Sequence, residues 1–165
     1  MDENPQLPRR LAAEHARLED RWQITELLNA YAFHFDRNEP EAIAALFASE
    51  AVIDYGPEVA PIHGSDTIAS RISGGLNEIF EATSHHISNV SIEFDDDASA
   101  RAVAYVYAWH RYRDGSPDGH LWGQYHAQVR HTADGWRMAS LTLKAAGTVD
   151  FHRSTMHSVG RKPGS

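Results

Sequence analysis

The stretch Ser99–Tyr112, SARAVAYVYAWHRY, decides the fold. Read in steps of two, one side carries Ala102, Ala104, Val106, Ala108, His110 and Tyr112; the other carries Arg101, Val103, Tyr105, Tyr107 and Trp109. Successive side chains of a strand point to opposite faces, so this pattern reads as one long strand with two very different surfaces. The first surface is small in its middle, with a histidine beyond the small run. It leaves room either for a ligand or for a helix packed against it. The second is aromatic and suits contact with another chain.

The same period continues on both sides. Upstream, Ile87–Phe94 reads as a strand and Asp95-Asp96-Asp97 as a polar turn. Downstream, Asp114–Gly119 is a loop and His120–His131 a strand. Asp134-Gly135 is a hairpin turn, and Trp136–Thr148 is the last long strand. Toward the N-terminus the period changes. Gly64-Ser65-Asp66 opens a helix with Ile68, Ile72, Leu76, Ile79 and Phe80 on its buried side; Gly74 and Gly75 weaken it by about 1 kcal/mol each relative to Ala. Ala51–Tyr55 is a short strand stopped by Gly56-Pro57. Asn38-Glu39-Pro40-Glu41 has the composition of a helix start, predicting a short helix over Ala42–Phe47. From Leu18 to Phe35, apolar residues recur at three and four, predicting a first helix with its stripe beginning at Leu18. Helices first and a meander of long strands afterwards make an α+β fold, with N-terminal helices packed on a strongly curved, mixed but mostly antiparallel sheet. Such a sheet encloses a cone-shaped cavity suited to a small molecule. The expected division is residues 1–17 as an N-terminal extension or the start of the first helix, 18–151 as the domain, and 152–165 as a C-terminal tail.

Composition narrows the function. The 165 residues hold 15 Lys+Arg against 23 Asp+Glu, a formal net charge of −8, so nucleic acid and anionic membrane are not expected partners. The count of 0 Cys excludes a disulfide framework, a thiolate metal site and a cysteine nucleophile. No apolar run approaches the roughly 18 residues of a membrane span. The polar Met1–Arg10 stretch makes the cytoplasm the expected compartment. There is no glycine-rich phosphate loop, so no nucleotide cofactor is expected. His34 and Asp36 lie two apart on a helix and face different ways, so a two-histidine, one-carboxylate metal site is not expected either.

Four stretches occur in order: Tyr31–Asp36 (YAFHFD), Ala45–Tyr55 (ALFASEAVIDY), Ser84–Val90 (SHHISNV) and Asp134–Arg137 (DGWR). They resemble the SnoaL-like branch of the nuclear-transport-factor-2-like (NTF2-like) superfamily. That branch holds scytalone dehydratase, hexachlorocyclohexane dehydrochlorinase and bile-acid 7α-dehydratase, and the resemblance spans about Leu18 to Phe151. It implies a cone-shaped α+β barrel and a catalytic dyad at Asp36 and His85. Tyr31, Tyr55 and His110 stand at positions where relatives place substrate-binding groups. Phe35 departs from the pattern, since scytalone dehydratase has a tyrosine directly before the Asp.

The residues themselves leave alternatives. Asp36 ends an apolar stripe at a polar break, so it is either a solvated helix-end residue or a paired carboxylate. His85 and His86 are adjacent, so only one of them can enter the cavity. The spacing to Asn89 favours His85, with His86 kept as a substrate-binding alternative. A neutral imidazole held by a carboxylate through one nitrogen can take a proton with the other. No serine lies in a nucleophile-elbow setting. The expected activity is therefore a cofactor-free lyase of the dehydratase type, acting on a small hydroxylated cyclic ketone. An isomerase or cyclase, and a non-catalytic small-ligand-binding or structural subunit, are the alternatives. The expected partners are a small hydrophobic molecule and further copies of the chain, as a homodimer or homotrimer.

Overall fold

The computed structural model describes residues 6–160. The outer parts of the expected N-terminal extension (1–5) and tail (161–165) lie outside the described residues. Helix α1 runs Gln6–Asp36. Pro8 falls in its first turn, where the backbone N–H has no intrahelical partner to lose. No glycine or proline follows until Pro40. The buried stripe is Ile24, Leu27, Leu28, Tyr31 and Ala32. It begins later than expected: Leu18 and Trp22 are exposed. The helix passes the edge of the sheet near Arg17, whose guanidinium lies 2.6 Å from Asp97 and 4.0 Å from the Phe94 ring centre. Leu7 and Leu11, N-terminal to that contact, face outward.

Helix α2 is one short turn, Pro40–Ala44. The expected cap at Asn38 does not form, because Glu39 holds the N-cap position and makes no side-chain cap bond. Asn38 instead takes a left-handed φ of 55° and donates its amide to Asn77 at 3.0 Å. Strand β1 then starts early, at Phe47–Asp54, followed by β2 (Ile62–His63) and α3 (Ser65–Glu78). Ile79 and Phe80 do not extend the helix face. Ile79 caps the helix and Phe80 opens β3 (Phe80–Phe94), which is therefore longer than its sequence period suggested. Strands β4 (Ser99–Tyr112), β5 (Gly119–Thr132) and β6 (Gly135–Val149) complete the meander, and β7 (His157–Ser158) adds a last pair of residues.

The strand order is β2-β1-β6-β5-β4-β3, with β7 also on β6. β1 and β7 run parallel to β6 and the other pairs are antiparallel, so the sheet is mixed and mostly antiparallel, as expected. Register shifts in β3–β4 (Ser88/Ser91) and β5–β6 (Trp122/Gly123, Gln128/Val129) mark the bulges that bend a sheet of this length. Gly123 sits at one of them, where a Cβ would collide with the Lys144 carbonyl. The sheet curls over α1 without closing. Along β4 the alternation is strict: every residue of the Ala102–Tyr112 small face is buried, and Tyr105 opposite is half exposed. Trp136 is buried beneath α1 and donates its indole N–H to Asp20 at 2.9 Å. Among the described residues no helix is long and apolar enough to cross a membrane.

The stretch expected as a tail folds back across the open end of the cone. The Arg153 guanidinium donates to the Tyr55 carbonyl at 2.7 Å. The Glu58 carboxylate accepts from the Thr155 N–H at 2.6 Å, and His157 lies 2.9 Å from Asp54.

Candidate active site

Asp36 is the last residue of α1, and β3 passes directly over it. His85 Nδ1 lies 2.7 Å from Asp36 Oδ1, the His85 backbone N–H donates to Oδ2 at 2.7 Å, and the Thr83 hydroxyl donates to Oδ1 at 2.8 Å. Thr83 and His85 share one face of β3 because they are two apart. Burial alone would raise the pKa of this carboxyl. The ring and backbone bonds from His85 and the hydroxyl of Thr83 outweigh that, and hold it below the usual carboxylate range. A carboxylate beside Nδ1 makes that nitrogen the donor, so the neutral ring carries its proton there and leaves Nε2 as the basic atom. The His85 side chain is 4% exposed and packs edge-on against Phe35.

His110, on β4, stands next to His85 with ring centres 5.4 Å apart. It is 4% exposed, and its Nδ1 has no protein hydrogen-bond partner among the described residues. Burial first, then the neighbouring His85 and His152, push its pKa down to about 3, so it is a neutral ring. Tyr31 and Tyr55 join through their hydroxyls in a short hydrogen bond. Burial raises Tyr31 well above an ordinary phenol, and raises Tyr55 to about 12 against the lowering effect of the Tyr31 bond and of Arg153. Both phenols are therefore neutral donors. Tyr55 reaches the cavity wall, whereas Tyr31 stands behind it, edge-on to Tyr125 at 5.4 Å.

The chamber before the dyad measures about 60 Å³ and is walled by Tyr55, His85, Ala108, His110, Tyr125 and His152, among others. A cleft of about 410 Å³ along α3 adjoins it through shared walls of Phe35, Tyr55, Phe80, His152 and Arg153. His86 is elsewhere. It points to the opposite face of the sheet, into an open groove of about 850 Å³ with Tyr105, Tyr107 and Trp122. The adjacent histidines thus part as strand geometry requires, with His85 inside.

Four contributors lie outside the sequence expectations: Thr83, upstream of the strand expected from Ile87; Tyr125, within the expected strand His120–His131; and His152 and Arg153, in the expected tail. His152 lies against His110 with ring centres 5.9 Å apart, and burial, then Arg153, lowers its pKa to about 4. Arg153 is a partly buried cation with its guanidinium 5.5 Å from the Tyr55 ring centre. No carboxylate among the described residues lies within ion-pair distance of it. His34 turns away from the site to Glu39, 2.7 Å distant. Among the described residues no three His, Asp or Glu side chains converge as a metal site would require.

Residues 16–142 match the SnoaL-like domain model. A crystal structure from Novosphingobium aromaticivorans, described as a candidate scytalone dehydratase, is 31% identical with a TM-score of 0.84. It covers 91% of this chain and 99% of its own. A candidate aromatic ring hydroxylase from the same organism is 26% identical with a TM-score of 0.73, covering 79% and 91%. A type-3 hexachlorocyclohexane dehydrochlorinase from Novosphingobium barchaimii shares the fold at 14% identity, with a TM-score of 0.77 and coverage of 90% and 99%. No curated protein matches the chain. These neighbours carry names from different chemistries on one fold, so the fold assigns the family and leaves the reaction to the site. With its helices on a curved mixed sheet and a family match over most of its length, the chain belongs to the SnoaL-like family of the NTF2-like superfamily.

Proposed function

We propose that this protein is a cofactor-free lyase of the dehydratase type, acting on a small hydroxylated cyclic ketone by general acid–base elimination. The observation that carries this reading is the Asp36–His85 pair, with Nδ1 engaged at 2.7 Å and the ring set in the wall of an apolar chamber. His85 Nε2 removes the proton alpha to the carbonyl, and Asp36 stabilises the imidazolium that forms. Tyr55 donates to the developing enolate oxygen, and Tyr31 supports it from behind through the hydroxyl pair. The enolate then expels the beta hydroxyl, a carbon–carbon double bond forms, and the imidazolium returns its proton to the departing oxygen as water. His110, a neutral ring in the chamber wall with its centre 5.4 Å from that of His85, holds that oxygen. His86, on the outer face, has no part in these steps.

An isomerase or cyclase would use the same base. The Tyr31–Tyr55 hydroxyl pair favours it as the second reading, because enolate stabilisation without a leaving group needs no more than these donors. Incubation with a panel of hydroxylated cyclic ketones, read by mass spectrometry, separates the possibilities. Loss of one water supports the dehydratase, a rearranged product of unchanged mass supports the isomerase or cyclase, and no turnover of any member supports a binding protein. The proposal extends to assembly as a homodimer or homotrimer. Tyr105 and Trp122 on the outer sheet face are 50% and 47% exposed, and Leu7, Leu11, Leu18 and Trp22 form an exposed apolar line on α1. Apolar surface of this extent is characteristic of contact faces.

A further inference from the structure

The chamber before the dyad, at about 60 Å³, has the space of roughly two water molecules. A six-membered ring exceeds that space, so a ring that meets His85 also occupies the junction at Phe35 and Phe80, where the chamber adjoins the cleft of about 410 Å³ along α3. Ligand pockets begin at roughly 300 Å³, and the cleft alone meets that size. Its floor is unusual. Gly74 and Gly75 occupy the middle of α3, where glycine destabilises a helix relative to alanine. Neither has a positive φ, and a Cβ built on either meets nothing within 4 Å. Internal packing therefore does not require these two glycines, but both line the cleft. Ile79, at the helix end, lines it too and is 38% exposed, an apolar side chain without an apolar cover. At the inner end, the buried His110 Nδ1 has no protein partner.

We propose that the α3 cleft is the second compartment of the ligand site. There the bare backbone at Gly74-Gly75 admits an apolar extension, an alkyl chain or a further fused ring, of a ligand whose oxygenated ring faces His85 and His110. This rests on the reading of His85 as the inner end of a ligand site but not on any reaction occurring there. The compartment selects elongated ligands over compact ones. Arg153 lines both spaces and lies beside the oxygenated part of such a ligand.

The test is binding of 4-alkylcyclohexanones, methyl through heptyl, to the full chain by calorimetry. Each methylene that enters the cleft should tighten binding roughly 3- to 4-fold. In Gly75→Leu the side chain projects into the compartment and blocks part of it. The gain per methylene should stop after the first one or two carbons and the heptyl compound should lose at least ~10-fold, with the methyl compound unchanged. Gly74→Ala and Gly75→Ala should raise the melting temperature, so that weaker binding of long members cannot be assigned to unfolding. A flat series in the wild type, or an unchanged slope in Gly75→Leu, overturns the proposal. His85→Ala should keep the wild-type slope, so failure of the elimination chemistry and failure of the compartment give different results.

Discussion

His85 and His86 are neighbours in the chain and belong to different worlds. The first is closed in among Phe35, Asp36 and His110; the second lies on the open face, its ring centre 5.8 Å from that of Tyr107. The same division runs along β4, where His110 faces inward and Trp109 outward to donate its indole N–H to Asp118 at 3.0 Å. One residue of register separates a buried neutral imidazole from a surface aromatic. Identical side-chain chemistry thus acquires different capacities from burial and partners alone. The inner histidine has a carboxylate on one nitrogen. Among the described residues, the outer one has only the Ser84 hydroxyl, at 3.2 Å.

Removing each histidine in turn should have the largest effect and separate the two faces. His85→Ala should lower turnover of any processed ketone by roughly 10²–10⁴-fold, the range of a positioned general base. His86→Ala should change it little. Asp36→Asn should also fall sharply, and the double variant His85→Ala/Asp36→Asn should be no worse than the poorer single, because the two act as one unit. Multiplying losses would contradict the dyad.

A smaller effect sharpens the inner side. Thr83→Val deletes one of the three bonds to Asp36 and should cost about 10-fold in kcat, on the order of one charged hydrogen bond, with KM nearly constant. On the outer side, the pair Tyr105→Glu with Trp122→Glu should convert the proposed homo-oligomer to an 18.4 kDa species by sedimentation. A wild type that already sediments at that mass would refute the assembly.

The mildest prediction concerns pH. Burial holds His110 at about 3. In the unfolded chain it takes up a proton near its ordinary value of about 6.5. Between roughly pH 6.5 and 4 the unfolded state therefore binds more protons, and stability must fall as pH falls. The melting temperature should decline across that window, and His110→Leu should flatten the decline. An unaltered slope in that variant would mean that His110 is not the source.

The inner face was more legible from the chain than the rim of its cavity, for a physical reason. His110 and the small residues of β4 follow from a period of two, and the family resemblance pointed to Asp36 and His85 through their matching positions. Thr83 required knowing that β3 starts at Phe80, but Ile79 and Phe80 continue the spacing of α3, and only the helix end at Glu78 breaks it. His152 and Arg153 lie in a segment with no period at all. Their place is set by contacts distant in sequence, Arg153 to Tyr55 and Thr155 to Glu58. Leu18 and Trp22 carry a valid helical stripe, yet the sheet edge near Arg17 leaves them uncovered, which periodicity cannot register.

In the proposed mechanism the inner imidazole removes a proton from carbon. Loss of a deuterium label from the alpha carbon measures that step for elimination and isomerisation alike. Wild-type protein and His86→Ala, given an alpha-deuterated ketone that they turn over, should remove the label from that carbon, while His85→Ala should leave it in place. Label lost at the wild-type rate in His85→Ala, or retained by His86→Ala, would contradict the account.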